Sequence, residues 1–451
     1  MTLKSKSNWI FPDKVEDDFV SFLLHSRGIH NEDKFLHPSL EDIPSFDKLY
    51  DSNSAAKEIV NAIKNGKKIV IHGDFDADGI SSVSILWEFL FKEVGEYLNT
   101  NINVIPYIPS RVDQGYGLTE SSLNDMVSMG ANLVISVDCG VRDKTLIHKY
   151  RDEKGLSFVI TDHHQPPEDI LDDLDYPLVH PMYPYNEYPQ ANICGGFVTL
   201  LFIQSIKKEL GMDTSITPQT RGLDLVALAS VTDLMPLVDA NRVIVFFGIQ
   251  QIKEGMRLGL NELVSVAGVD RNEIDSYHLG YILGPRINAV GRIGSPLDAV
   301  RMLVSEKEDV CRNIAKELNE TNYQRQYMTQ NGLDEAEQII GKSYDRKLIF
   351  VVGDNWHEGI VGLIAGKLNE KYHRPTLVAT RGKEGIRGSA RSIEGFNITK
   401  ALSECSEYLS RFGGHEQAAG FTIKLDKEKE FAECIHSIAD RDITDAMLVK
   451  D

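Results

Sequence analysis

Apolar residues recur with two different periods along the chain. Ile69-Val70-Ile71, between Lys67-Lys68 and His72, form a short β-branched run that predicts a strand buried on both faces. Gly79 to Phe91 then places Ile80, Val83, Leu86, Trp87 and Leu90 at helical spacing. Val104 to Ile108, Leu133 to Val137 and Phe158 to Ile160 read as further strands, with helical stretches such as Glu120 to Met129 between them. Strands alternating with helices predict an α/β fold with a doubly wound, mostly parallel sheet. The apolar run Val243 to Phe247, which no run in the chain exceeds, is short enough to be another buried strand.

The pattern changes around Pro296. From there to Ile340 the chain is polar and helix-friendly, with no further proline and only Gly332, which predicts long helices joining two lobes. A second, smaller α/β unit follows: strand Lys347 to Val352, helix His357 to Lys371, strand Thr376 to Thr380. Ile398, Ala401, Leu402, Cys405, Leu409 and Phe412 share one helical face, so a helix is expected over Ile398 to Phe412, ended by Gly413-Gly414. The start of the chain, to about residue 66, reads as a helical preface with proline-marked loops, and Lys427 to Asp451 as helical and polar.

Composition narrows the class. A chain of 451 residues, 42% hydrophobic and 25% charged, suits an ordinary globular protein of two or three domains. No run approaches the roughly 18–20 apolar residues of a membrane span, and no apolar stretch follows Lys4 and Lys6, so neither membrane insertion nor a secretory signal is expected. Cys139, Cys194, Cys311, Cys405 and Cys434 contain no C-x-x-C pair. That spacing argues against a disulfide framework or a thiolate zinc site, and for the reducing cytoplasm. The formal net charge of −19 opposes a generic nucleic-acid binder. A local exception runs from Lys371 to Arg391, where Lys371, Arg374, Arg381, Lys383, Arg387 and Arg391 face only Glu384. By charge alone such a run is usually a solvated surface.

The most informative segment is His72-Gly73-Asp74-Phe75-Asp76-Ala77-Asp78-Gly79, directly after a buried strand and before a helix. Ligands bind at the carboxyl ends of strands in open α/β sheets, and this many like charges crowd together at a cost unless a cation neutralises them. A calcium loop is excluded, because the twelfth position from Asp74 is Ile85 rather than Glu and a strand precedes the motif. Two further strands end in the same chemistry, at Asp138-Cys139-Gly140 and at Asp162-His163-His164. A lone Asp there is usually a cap or turn residue; three such ends in one sheet point to a metal site. Asp233, after the apolar segment Leu223 to Val231, is a fourth candidate. No G-x-S-x-G elbow, Walker A loop or H-E-x-x-H helix is present, which leaves nucleophilic serine or cysteine catalysis unsupported. Mixed carboxylate and imidazole ligands suit Mn²⁺, with Mg²⁺ or Zn²⁺ as alternatives.

Asp162-His163-His164, together with the His72 to Gly79 segment, resembles the DHH phosphoesterase superfamily. Tyr116-Gly117-Leu118, His180-Pro181, Ile193-Cys194-Gly195-Gly196 and the run Gly284 to Arg292 extend the likeness to the RecJ-like single-strand exonucleases. Trp356 to Gly362, Gly388 to Ser392 and Gly413-Gly414-His415 resemble the DHH-associated second domain. The resemblance implies an N-terminal extension over 1–50, a DHH catalytic domain over 51–245, a helical connector over 246–340, a DHH-associated substrate-binding domain over 341–430 and a tail over 431–451. It implies two ions, Mn²⁺ or Mg²⁺, held by His72, Asp76, Asp78, Asp138, His163 and Asp233, with Asp138 bridging them. Asp74 and Asp162 would support these ligands, and His164 would face the scissile phosphate. Ser389 and Arg391 would hold a terminal 5′ phosphate; Arg286, Asn288, Arg292, Gly413, Gly414 and His415 would add substrate contacts.

The expected activity is therefore 5′→3′ hydrolysis of single-stranded DNA in repair and recombination, two ions at roughly 3.5–4 Å clamping the phosphate and activating water. The expected setting is a cytoplasmic monomer working with single-stranded DNA and a single-strand-binding protein or helicase. One departure from the family is expected: Asp451 leaves no room for the oligonucleotide-binding barrel with which many such proteins continue. A nanoRNase or cyclic-dinucleotide phosphodiesterase of the same superfamily, and a non-catalytic replication scaffold, are the alternatives.

Overall fold

The structure is a computed structural model that describes residues 6–7, 18–110, 115–170, 174–183, 185–341, 345–382 and 385–450. It divides into two compact units, Glu16–Asn322 and a second that takes in Tyr323–Asp451.

The first unit is built on a parallel sheet of strands β1 (Ile69–Gly73), β2 (Val104–Tyr107), β3 (Leu133–Val137), β4 (Ser157–Thr161) and β5 (Leu178–Val179), in the order β2-β1-β3-β4-β5. Every residue of β1 and β3 is buried, as strands covered by helices on both faces require. Alternate side chains serve opposite layers. Ile69, Ile71, Ile135 and Val137 join one core with helices α1 (Ser52–Lys64), α2 (Ala77–Glu88), α3 (Gly195–Leu210) and α4 (Leu223–Thr232), whereas Val70, Val134 and Phe158 join another with Leu123, Met126 and Ile147. The register sets Gly73 against Val137 and Val137 against Thr161. The chain therefore leaves three adjacent strands at one level, and the next residues are Asp74, Asp138 and Asp162. Strand order reverses between β1 and β3, which is where doubly wound sheets open a ligand crevice.

The apolar run Val243 to Phe247 is not a strand. It lies inside helix α5 (Asp239–Glu254), with Val243, Ile244 and Val245 buried. A short continuous apolar run satisfies a buried helix as well as a buried strand. Helix α6 (Leu258–Ala267) follows, and then a π-helical stretch, His278–Leu283, runs directly into α7 (Gly284–Ile293). Helices α8 (Pro296–Val304) and α9 (Glu308–Ile340) complete the polar, helical part of the chain.

The second unit carries a mixed sheet of β6 (Ile349–Gly353), β7 (Thr376–Arg381), β8 (Ile386–Arg391), β9 (Leu409–Gly414) and β10 (Ala418–Ile423), ordered β9-β10-β8-β7-β6 with only β6 and β7 parallel. Helix α10 (Glu358–Tyr372) connects that parallel pair. The helix expected over Ile398 to Phe412 is corrected here: helix α11 stops after Ile398–Glu404, and Leu409–Gly414 becomes a strand. Antiparallel pairing of Phe412 with Phe421 and Leu409 with Ile423 supplies hydrogen bonds and a buried face that the local helical spacing could not foresee. Gly413-Gly414 consequently ends a strand.

The cysteine expectation is corrected at one pair. Cys405, at the end of α11, is disulfide-bonded to Cys434 on helix α12 (Glu428–Asp442), with Cα atoms 6.1 Å apart. Packing of two helices 29 residues apart in sequence brings the thiols together, which cysteine spacing does not reveal. Cys139, Cys194 and Cys311 are free and buried.

Candidate metal centre

Three strand ends, the start of α2 and the end of α4 supply the charged side chains. His72 is the penultimate residue of β1 and is fully buried. Asp76 caps α2, its Oδ1 accepting from the Asp78 and Gly79 amides at 3.0 and 3.1 Å. Within the first turn of α2, Asp78 points back into the sheet edge, where it accepts from the Gly195 and Gly196 amides, both at 2.7 Å. Those amides open α3, so a helix N-terminus holds this buried carboxylate. Gly195 is needed for the approach, since a Cβ there would stand 2.6 Å from that of Asp138. Asp138 follows β3 with a φ of 61°, in the left-handed region that Asp tolerates better than most residues. Asp233 stands at the C-terminal end of α4 and remains partly exposed.

These residues converge. Asp78, His163 and Asp233 each offer a ligand atom within 4.8 Å of the others, and so do Asp138, His163 and His164, and Asp74, Asp76 and Asp138. His163 Nε2 is 3.0 Å from Asp138 Oδ1 and 3.6 Å from both Asp78 and Asp233. His72 is absent from these three groups; its ring lies against Tyr107 and its Nδ1 is 3.4 Å from Cys139 Sγ. Asp162 plays a supporting part, accepting from the Val141, His163 and His164 amides and from His164 Nδ1 at 2.8 Å. Tyr116 Oη completes the surroundings of His164, 3.1 Å from its Nε2.

The electrostatics are those of a cluster that wants a cation. Burial and the neighbouring Asp78, Asp76, Asp74 and Asp233 carboxylates push Asp138 well above the usual carboxylate range. Burial, then Asp78 and Asp76, raise Asp233 to about 8. Burial also raises Asp78, which His163 partly offsets, and lowers His72 to about 4, so its imidazole is neutral at pH 7. His164 behaves differently: burial would lower it, but the Asp162 carboxylate outweighs burial and raises it to about 9. The fit to a metal is tested by atoms that the protein leaves unsatisfied. His72 Nε2 is buried without a hydrogen-bond partner, and Asp138 Oδ1, also buried, makes no hydrogen bond and has only the ion-pair contact with His163 Nε2 at 3.0 Å, a costly state that coordination relieves. Acidic and imidazole groups are thus positioned to hold metal ions.

The other residues singled out from sequence have mixed surroundings. Asn288, on α7, accepts from the Ala77 amide at 2.6 Å and so ties α7 to the Asp76–Asp78 turn. Arg286 is largely buried, its Nε on Asn319 Oδ1 and its Nη1 on the Ile282 carbonyl; Arg292 occupies the last turn of α7, partly exposed. In the second unit, Ser389 and Arg391 lie on β8 and contact each other, Arg391 Nη1 donating to Ser389 Oγ at 3.0 Å. Gly362 of α10 faces them. Gly413, Gly414 and His415 are exposed at the end of β9. Much of the basic run is ion-paired: Lys371 with Glu337, Arg381 with Asp354 and Glu428, Arg387 with Glu358; Lys383 lies outside the described residues. Sequence reasoning missed the Gly195 and Gly196 amides as holders of Asp78 and gave Tyr116 no role, although a Gly-Gly pair opening an apolar helix is a usable sign of an anion-binding helix start.

Comparison with known proteins agrees with this arrangement. Residues 68–230 match the DHH family, N-terminal domain, and residues 345–440 match the DHHA1 domain. The single-stranded-DNA-specific exonuclease RecJ of Bacillus subtilis is 36% identical over 434 residues, covering 94% of this chain, which spans about half (53%) of that relative's length. The protein of the same name from Haemophilus influenzae is 32% identical, covering 92% of this chain and 72% of its own length. The crystal structure of RecJ from Thermus thermophilus in complex with Mn²⁺ superposes with a TM-score of 0.77 at 26% identity, covering 93% of this chain and 58% of that one. Agreement in sequence over nearly the whole chain, in sheet architecture and in domain order has one reading: the chain belongs to the RecJ family of DHH proteins.

Proposed function

We propose that this chain is a 5′→3′ exonuclease that hydrolyses single-stranded DNA with two divalent ions, Mn²⁺ or Mg²⁺. The observation that supports it best is the sharing of side chains between metal-holding groups: Asp138 belongs to two of them and His163 to two. A shared carboxylate suits a bridge between neighbouring ions, with His72, Asp76, Asp78, His163 and Asp233 as the remaining ligands and Asp74 beside them. When bound, such ions activate a water and neutralise charge on the phosphate and leaving oxygen.

The protein's own part is positioning and proton placement. Asp162 holds His164 in its protonated form, ready to donate to the charge that develops on a phosphate oxygen. The Asp78 carboxylate is fixed by two amides, so one ligand is preorganised before any ion arrives. Ser389 and Arg391 are assigned to a terminal 5′ phosphate, which Arg chelates well; Arg286, Asn288, Arg292, Gly413, Gly414 and His415 are assigned to the rest of the strand. The division into catalytic (51–245), connecting (246–340) and substrate-binding (341–430) parts belongs to the same proposal, as do a monomeric state, a cytoplasmic location and delivery of the strand by a single-strand-binding protein or helicase. Among the described residues no helix is long and apolar enough to cross a membrane. Neither a small-substrate phosphodiesterase nor a non-catalytic scaffold is favoured, since the matched relatives bear the exonuclease name.

The test is incubation of the purified protein with end-labelled single-stranded DNA and Mn²⁺. Stepwise release of mononucleotides from the 5′ end is expected. Absence of hydrolysis, or release from the 3′ end, would overturn the proposal. Arg391→Ala is expected to abolish the preference for 5′-phosphorylated over 5′-hydroxyl strands; equal losses on both would remove Arg391 from the phosphate pocket.

A further inference from the structure

Tyr277 and Tyr281 are among the most exposed aromatic side chains of the first unit, at 59% and 72%. They lie one turn apart, Tyr277 immediately before the π-helical stretch and Tyr281 within it, with ring centroids 5.0 Å apart and planes only 26° from parallel. Single exposed apolar side chains are ordinary on a protein surface; what sets this pair apart is that two large rings lie nearly parallel and in contact. A π-turn inside a helix often marks a functional position.

The helix that presents these rings leads to the metal centre. Gly284 and Gly291 let it lie against the site: a Cβ on Gly284 would stand 2.2 Å from Thr232, next to Asp233, and one on Gly291 would stand 2.2 Å from the Phe75 carbonyl, between Asp74 and Asp76. Asn288 then grips the Ala77 amide. At about 1.5 Å per residue, Tyr281 is roughly 10 Å and Tyr277 roughly 17 Å along the helix from Asn288. Measured along the helix axis, the rings therefore lie within a few nucleotides' length of the residue that grips the Asp76–Asp78 turn, on one continuous helical element.

The occupant follows from the chemistry of the pair. Two isolated tyrosines are far too small for a protein interface, which buries on the order of 1,200 Å² or more. One ring face is the right size for one base, and stacking requires no positive charge, which this acidic chain has in short supply. The nearest imidazole, His278, is already engaged by Asp275 at 2.7 Å. Stacking on aromatic faces is also indifferent to base identity, as an enzyme that degrades any sequence needs. We propose that Tyr277 and Tyr281 form a stacking platform for unpaired bases near the scissile phosphate, an inference that rests on the single-strand exonuclease reading.

Two measurements test it. The first is the ratio of kcat/KM for a twelve-nucleotide over a two-nucleotide strand with Mn²⁺, in the wild type, in Tyr277→Ala/Tyr281→Ala and in Tyr277→Trp/Tyr281→Trp. The alanine pair is expected to lower the ratio about five- to a hundredfold per ring lost, and the tryptophan pair to preserve it. The second is quenching of 2-aminopurine in a bound oligonucleotide, which reports stacking whether or not the strand is cut. Quenching by the wild type that the alanine pair loses and the tryptophan pair keeps supports the platform. An unchanged ratio or unchanged quenching in the alanine pair overturns it, as does failure of tryptophan to substitute. Wild-type quenching without any hydrolysis would overturn the exonuclease reading and leave the platform standing.

Discussion

At the scale of single residues, the site is a set of groups held in states that only a cation makes comfortable. Asp138 is buried among four other carboxylates, with one oxygen making no hydrogen bond. Replacing it with Asn removes a ligand and also a repulsive charge. Asp138→Asn is therefore expected to lower Mn²⁺-dependent hydrolysis by more than about a hundredfold, while the metal-free variant melts at or above the wild-type temperature. A metal-free melting point well below the wild type would show that Asp138 serves the fold instead. The same charges make metal binding pH-dependent. In the metal-free protein Asp233 titrates at about 8, so at pH 6 it is protonated and must lose a proton to bind metal, whereas at pH 9 it is already ionised. Apparent Mn²⁺ affinity is expected to rise with pH from 6 through 9, as Asp233 ionises and His164, raised to about 9, loses its positive charge. His72, neutral throughout that range, contributes no proton. Affinity that is flat from pH 6 to 9 in calorimetric titration would contradict this account.

At the scale of elements, α2 and α4 each bring a ligand to the centre, Asp78 near the start of one and Asp233 at the end of the other. Their opposite ends are joined by a buried ionic clamp. Arg257 donates from Nη1 to Glu88, the last residue of α2, at 2.8 Å, and from Nε to Asp224, in the first turn of α4, at 2.6 Å. It also reaches the Leu303 carbonyl of α8 at 2.7 Å. All three charged side chains are at most 9% exposed, so removing the cation strands Asp224 in the core and leaves Glu88 only Lys92, at 3.2 Å. Arg257→Met is expected to cost about 3–5 kcal/mol of stability, read from urea unfolding. A loss below about 1 kcal/mol would mean that water reaches the clamp. The elements also show where local pattern misleads. Helical spacing at Leu409 and Phe412 is overridden by pairing with β10, because a strand partner outside the local window satisfies backbone and side chains together.

At the scale of the whole molecule, the formal net charge of −19 sets the terms for any anionic substrate. A strand approaching without metal meets Asp74, Asp76, Asp78, Asp138 and Asp233 as well as an acidic surface. Binding of a single-stranded oligonucleotide is expected to fall at least about tenfold in chelator, and Mn²⁺ is expected to raise the melting temperature because it binds only the folded arrangement. Equal oligonucleotide affinity with and without divalent ions would separate strand binding from the metal centre. Of the basic run that was the sequence's main counterweight, Lys371, Arg381 and Arg387 are spent on ion pairs within the second unit.

What the amino-acid order determined unaided was the alternation of buried strands and helices, and the placing of Asp or His at three strand ends. Both are local: burial on two faces demands a continuous β-branched run, and a residue after a strand emerges at the sheet edge whatever lies beside it. Tertiary structure decided the rest. Register alone brings Gly73, Val137 and Thr161 level; α4 alone carries Asp233 within reach of His163, from a position whose local sequence reads equally well as a turn. The amides that hold Asp78 lie 117 and 118 residues away. A metal centre assembled from separated segments depends on which backbone atoms and charges end up adjacent, and adjacency of that kind is a property of the packed chain.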